Sequence, residues 1–135
     1  MNFRKFKTSS GKEVVAGKSA ENNEELVGQV GKQEIVLHTS SPGSPFVNIK
    51  SETATKEDIK EAAVFCAAYS QIWKKAKIKK DVSVDIFLGR DIFKLKDMKA
   101  GTFGVKKAKT IKVKKSDIEA CRNLKFSASL NLKQI

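Results

Sequence analysis

Histidine, cysteine and acidic residues are all in short supply in this chain of 135 residues. The single histidine, His38, excludes every metal site that uses two or more imidazoles. The two cysteines, Cys66 and Cys121, lie far apart in helical patterns and form no CxxC pair, so neither a structural zinc site nor a disulfide scaffold is expected. They read as reduced, packed thiols of a cytoplasmic protein. No apolar run approaches the ~20 residues of a membrane span, so no membrane association is expected. The segment Met1–Lys7 is basic but has no apolar stretch, so no secretory signal is expected. Neither the P-loop nor the dinucleotide-binding glycine pattern occurs, and Gly101-Thr102-Phe103-Gly104 lacks the following helix that a phosphate cradle uses. No cofactor or metal is expected.

What is present argues for one folded domain spanning residues 1–135. Hydrophobic residues make up 40% of the chain and include eight Phe, too many for a disordered polymer. Phe3–Lys7 and Glu13–Ala16 alternate apolar and polar about Ser9-Ser10-Gly11 and predict a hairpin. Ser19 caps a short helix through Glu21–Val30 that Gly31 ends. Glu34–His38 and Phe46–Ile49 are strands, separated by Thr39-Ser40-Ser41-Pro42-Gly43-Ser44-Pro45, where two Pro and a Gly forbid regular structure. Thr55 and Asp58 form a capping box opening a helix over Lys56–Lys75, with Ile59, Ala62, Ala63, Cys66, Ser70 and Trp73 on one face. Small residues there let the helix sit close on a sheet, and Trp73 belongs to the core. Further strands are expected at Val82–Leu88, Ile92–Leu95, Thr102–Val105 and Thr110–Val113. Ser116 and Glu119 predict a second capping box and a helix through Cys121, and Phe126–Leu132 alternates like a last strand. Strands joined by short turns and outnumbering helices predict an α+β fold, a single largely antiparallel β-sheet with two or three helices packed on it.

Charge is distributed unevenly. Residues 71–115 hold fifteen Lys or Arg against four Asp or Glu, whereas the first seventy residues balance at nine against nine. That block supplies +11 of the net +12. Charge gathered in this way predicts an electropositive face, whose commonest partner is a phosphate backbone. The candidate contacts are Lys74, Lys75, Lys77, Lys79 and Lys80, then Lys94 and Lys96, then Lys106, Lys107, Lys109, Lys112 and Lys114. Alternation in Thr110–Lys114 puts Thr110, Lys112 and Lys114 on one face with Ile111 and Val113 behind. Lys94 and Lys96 alternate with Phe93 and Leu95 in the same way, so adjacent basic strand faces would form a lysine platform. Lysines are point charges suited to backbone contact, which predicts salt-sensitive, shape-based binding. His38, Ser40, Ser41, Gly43 and Ser44 form a polar loop that could join such a contact or simply hold itself together.

The series Gly17-Lys18-Ser19-Ala20-Glu21-Asn22, Glu34-Ile35-Val36-Leu37-His38, Pro42-Gly43-Ser44, Ala62–Ser70, Val82-Ser83-Val84, the Lys94/Lys96 strand, Gly101-Thr102-Phe103-Gly104-Val105 and Ile111-Lys112-Val113 resembles the NFACT RNA-binding domain in order and spacing from about Lys12 to Lys115. The resemblance implies an RNA-binding module. In larger relatives this module ends ribosome-associated quality-control factors that recognise the large subunit with a stalled nascent chain and tRNA. Some relatives look connected to tRNA modification, and a eukaryotic solo relative is associated with DNA sensing. Two positions depart from the family pattern. Val36 replaces an aromatic before the strand histidine, and Pro45 stands where a second histidine often follows the loop.

Three functions follow as expectations. The leading one is a non-enzymatic module docking structured RNA, tRNA or ribosomal RNA, through lysines and the His38–Ser44 loop, with the ribosome or DNA as further partners. The second is a tRNA-modification or nucleic-acid-processing component with His38 as acid/base. The third is an adaptor whose basic face meets acidic protein surfaces.

Overall fold

Strand alternation organises the molecule into a sheet with two different faces. The structure, a computed structural model, describes residues 2–121. The elements are β1 (Arg4–Lys7), β2 (Glu13–Ala16), α1 (Ala20–Gly28), β3 (Ile35–Thr39), β4 (Val47–Ile49), α2 (Lys56–Ala68), α3 (Gln71–Lys75), β5 (Val82–Leu88), β6 (Ile92–Phe93), β7 (Gly104–Val105) and β8 (Lys109–Val113). A further helix, α4, covers residues 115–121. Six strands form one sheet in the order β1-β2-β4-β3-β5-β8, and every pairing is antiparallel. β6 and β7 form a separate two-stranded ribbon. This is the expected α+β arrangement.

On one face, Val14, Leu37, Val47, Ile49, Val82, Val84 and Val113 pack against Ala62, Ala63, Cys66 and Ala67 of α2, Trp73 of α3 and Ile118 of α4. The small side chains of α2 bring its backbone close to the strands, and Trp73 is buried as expected. On the other face, Val15, Val36, Phe46 and Phe87 meet Leu26 of α1, with Val30, Ile92, Phe103 and Val105 around them. This second layer stops short of the β8 edge. Ser83, Asp85, Thr110 and Lys112 lie on that face and remain partly or fully exposed.

Local signals explain the element ends. The Ser19 hydroxyl accepts from the Asn22 N–H at 3.1 Å and starts α1. α1 ends at Gly28, earlier than expected, where the Gln29 side-chain amide donates to the Leu26 carbonyl at 2.6 Å. The Thr55–Asp58 capping box is complete. The expected long helix is two helices, because Ser70 interrupts it. Its hydroxyl donates to the Ala67 carbonyl at 2.7 Å and accepts from the Trp73 N–H at 3.3 Å, closing α2 and capping α3. The Ser116 box does not open α4. The helix starts one residue earlier, where the Lys115 N–H donates to Asp81 Oδ1 at 2.8 Å. The expected strand Phe126–Leu132 lies outside the described residues. The expected strand Ile92–Leu95 contracts to Ile92–Phe93, and this affects two of the candidate lysines.

Candidate nucleic-acid interface

Several segments converge at one end of the sheet. Val82 pairs with Val113, and the Ser40 N–H donates to the Ser83 carbonyl at 3.0 Å. The Gly17 N–H donates to the Phe46 carbonyl at 3.1 Å. The loop over residues 40–46, the start of α1, the α3–β5 connector and the end of β8 are therefore neighbours. Lys74, Lys75, Lys77, Lys80 and Lys114 are exposed here, and no ion pair involves any of them among the described residues. Lys74 also sits 5.6 Å from the centre of the Tyr69 ring.

The loop is a fixed structure. Its Gly43 has φ +90°, and a Cβ there would lie 3.0 Å from Gln71 side-chain carbons. The Gly43 carbonyl accepts from the Gln71 N–H at 2.7 Å, which ties the loop to α3. The Thr39 hydroxyl donates to the Ser41 carbonyl at 2.6 Å. Ser44 was expected to face a ligand. It is buried instead, its hydroxyl accepting from the Thr39 N–H at 3.0 Å and donating to the Pro45 carbonyl at 3.1 Å. Pro45 is buried as well, so position 45 offers no side chain to the surface, and Val36 packs in the core with Phe46. Ser40 is exposed and aligned with the β5 row.

The lysine platform divides. Lys112 and Lys114 lie on the open face of the β8 edge, as alternation requires. Lys109 falls on the opposite face, where with Lys56 and Lys60 it rims an open groove of about 400 Å³ floored by Ile59, Val64, Ile86 and Ile111. Lys106 and Lys107 lie in the exposed β7–β8 link, at the other end of β8 from the loop. Lys94 and Lys96 are not strand residues. The Lys94 ammonium pairs with Glu24 at 2.6 Å, donates to the Lys99 and Thr102 carbonyls and lies 4.5 Å from the centre of the Phe103 ring. It fastens the 94–103 segment to α1, assisted by the Gly101 N–H, which donates to the same Glu24 oxygen at 2.8 Å. Glu24 is held below the usual carboxylate range, mainly by its hydrogen bond to Lys94. Lys96 is exposed beside Leu95, which has no core to pack on and is 54% exposed. Lys79 is also engaged, donating to the Trp73 carbonyl above the Trp73 ring.

His38 sits where the loop meets the sheet. Register places His38 opposite Asp85 and Asp85 opposite Thr110, so β3, β5 and β8 contribute one polar row on the open face. The His38 Nδ1 is 2.7 Å from the Thr39 carbonyl, which can only accept, so Nδ1 carries the proton. The ring packs against Phe46 with centroids 4.6 Å apart. Burial pushes its pKa below the ordinary histidine value, against the Thr39 carbonyl, Asp85 and the Ser44 backbone, so the ring is neutral near pH 7. Asp85 Oδ1 accepts from Ser40 Oγ at 2.8 Å and Thr110 Oγ1 at 2.6 Å.

Among the described residues no nucleophile–base pair forms around His38. Its Nδ1 proton is held by a backbone carbonyl rather than by a carboxylate, and Ser44 is occupied internally. The Cys66 thiol is buried beside Ser44, and burial pushes it up to about 12, far from a reactive thiolate. Among the described residues no three His, Cys, Asp or Glu gather as a metal site, and no helix is long and apolar enough to cross a membrane.

Sequence reasoning missed Asp85, Thr110, Phe46 and Phe103. The alternation Val82-Ser83-Val84-Asp85-Ile86 already placed Asp85 on a polar face, but its neighbours depend on pairing between distant strands.

The sheet thus carries α2, α3 and α4 on one face and α1 on part of the other, where the β8 edge stays open and polar beside a cationic end. The family model described as NFACT protein RNA binding domain matches residues 2–107, and this chain belongs to that family. A stretch of 77 residues, 53% of the chain, is 35% identical to the archaeal Rqc2 homolog aRqcH of Methanocaldococcus jannaschii. The match covers only 12% of that relative. The fold is similar to the C-terminal part of the fibronectin/fibrinogen-binding protein from Streptococcus suis, with a TM-score of 0.76 at 22% identity over 89% of this chain and 49% of that one.

Proposed function

We propose that this chain is a non-enzymatic RNA-binding module that docks structured RNA, tRNA or ribosomal RNA, through the loop end of its sheet. The observation that carries the reading is the meeting of five exposed lysines without carboxylate partners among the described residues, Lys74, Lys75, Lys77, Lys80 and Lys114, with the rigid loop over residues 40–46. Point charges on a fixed frame suit the regular phosphate spacing of a folded RNA. Membership of an RNA-binding domain family supports RNA as the partner class, and the likeness to an Rqc2 homolog supports a cytoplasmic role in ribosome-associated quality control. A role in tRNA metabolism uses the same surface.

Mobility-shift titrations with tRNA, ribosomal RNA fragments and duplex DNA across a salt series test the reading. The expected result is RNA binding that weakens steeply with salt and exceeds DNA binding at each salt concentration. Equal binding of duplex DNA, or affinity independent of salt, overturns it.

A further inference from the structure

We propose that the row His38–Asp85–Thr110 reads an unpaired guanine, an inference that rests on the RNA-binding reading and adds a base preference to it. A carboxylate is out of place on a surface that only holds phosphates, because it repels them. Asp85 nevertheless lies at the centre of the open face, two residues along β5 from Ser83, which pairs with Lys112. Its two hydrogen bonds from Ser40 and Thr110 both end on Oδ1. Oδ2 has no protein partner among the described residues, and it is not a buried unsatisfied atom, so it opens to solvent.

The same holds for His38 Nε2. With the proton on Nδ1 and held by the Thr39 carbonyl, Nε2 is a lone-pair acceptor. No described residue donates a hydrogen bond to it, and it is not buried without a partner. Packing against Phe46 fixes the ring plane. Antiparallel pairing sets the His38 and Asp85 side chains beside each other, about 5 Å apart at Cβ. Among the described residues the site therefore offers two neighbouring acceptors and no free donor between them.

A base that fits must present adjacent donors. Guanine does so through N1–H and the N2 amino group. Adenine and cytosine each place a ring acceptor beside their amino group, and uracil flanks its one N–H with carbonyls. Each of those three would set a lone pair against Asp85 or His38. Lys112 and Lys114 on the same face of β8 are placed for the flanking phosphates.

Fluorescence anisotropy with a uridine-rich single-stranded RNA carrying one central guanine, inosine or adenine tests this at fixed salt. Inosine lacks only the N2 amino group. The guanine RNA should bind roughly tenfold more tightly than the inosine RNA, the scale of one hydrogen bond to a charged group. D85N keeps the shape and the acceptor for Ser40 and Thr110 but removes the charge. It should bind all three RNAs at least as tightly as the wild type, because a charge that repels phosphate is gone, while the guanine preference falls toward one. T110V removes one of the two hydrogen bonds that position the Asp85 carboxylate and should lower the guanine preference. Wild-type protein that binds these RNAs without telling guanine from inosine overturns the inference and leaves the RNA-binding reading intact. So does D85N that weakens all three RNAs equally. No binding of any RNA, these or the structured ones, overturns both.

Discussion

Replacing Lys75, Lys77, Lys80 and Lys114 together by Gln should flatten the salt dependence of RNA binding far more than replacing Lys56, Lys60 and Lys109. The first four are exposed at the loop end with no acidic partner among the described residues. The second set rims the groove beside α2, on the face turned away from His38. Each phosphate contact adds about 0.9 to the slope of log affinity against log salt on a duplex. Four lost contacts lower that slope by roughly 3.6, so between 50 and 200 mM salt the wild type should lose about a hundredfold more affinity than the loop-end variant. The groove variant should change the slope by less than about 1, since distant exposed charges are screened over a Debye length of ~10 Å. Filter binding with one tRNA at four or five salt concentrations measures both slopes, and circular dichroism checks the fold. All seven sites are at the surface or its rim, so folding is expected to survive. Equal flattening by the two variants would refute the placement of the interface. No flattening by either would refute the role of the lysine block.

Two further outcomes check the frame. Asp58 is buried, accepting from the Thr55 N–H at 2.9 Å and Ser10 Oγ at 2.7 Å, with Lys12 at 3.4 Å. D58N should cost about 2 kcal/mol near pH 7 in chemical denaturation, the scale of a lost cap and a lost charged hydrogen bond. The Thr55 N–H and the other donors hold the Asp58 carboxyl below its ordinary range, so this stability is present above about pH 4 and is lost as pH falls further. The gap between wild type and D58N should therefore narrow in acid, and a gap that stays constant down to about pH 2 contradicts the assignment. For Lys94, K94A should expose the 94–103 segment to faster proteolysis and cost about 1 kcal/mol, as expected of a half-exposed ion pair. It should leave the RNA salt slope unchanged, and a slope lowered by about 1 would return Lys94 to the interface.

Much of the architecture was readable because its signals are local. The Ser19 cap, the Thr55–Asp58 box and the strands Glu13–Ala16 and Val82–Leu88 depend on residues within a few positions of one another. Ser70 shows the limit of that reading. It fits the helical period, so the pattern ran through it, yet its hydroxyl competes for the backbone and splits the helix. Lys94 shows a second limit. Alternation with Phe93 and Leu95 suggested a strand, but Glu24, seventy positions away, draws the ammonium back onto α1. Ser44 shows a third, since a serine in a proline-rich loop looks like surface until Thr39 and Pro45 close around it.

The charge block can now be divided by what each lysine faces. Lys79 and Lys94 are occupied by carbonyls, rings or a carboxylate, and Lys109 turns toward α2. Each of these three has contacts of its own or faces away from the loop, although composition counts them equally. The lysines left at the loop end form a surface that would hold any polyanion. On the guanine proposal Asp85 would make that surface selective, since one carboxylate among cations weakens general attraction and is useful only where a donor edge reaches it. His38 has the same sense, a neutral acceptor where a charged imidazole would serve phosphates better. A face built solely for affinity would have gained from Asn at 85 and a protonated ring at 38. The acceptors that stand there instead are what an interface needs if it is to distinguish one base from another after the lysines have captured the backbone.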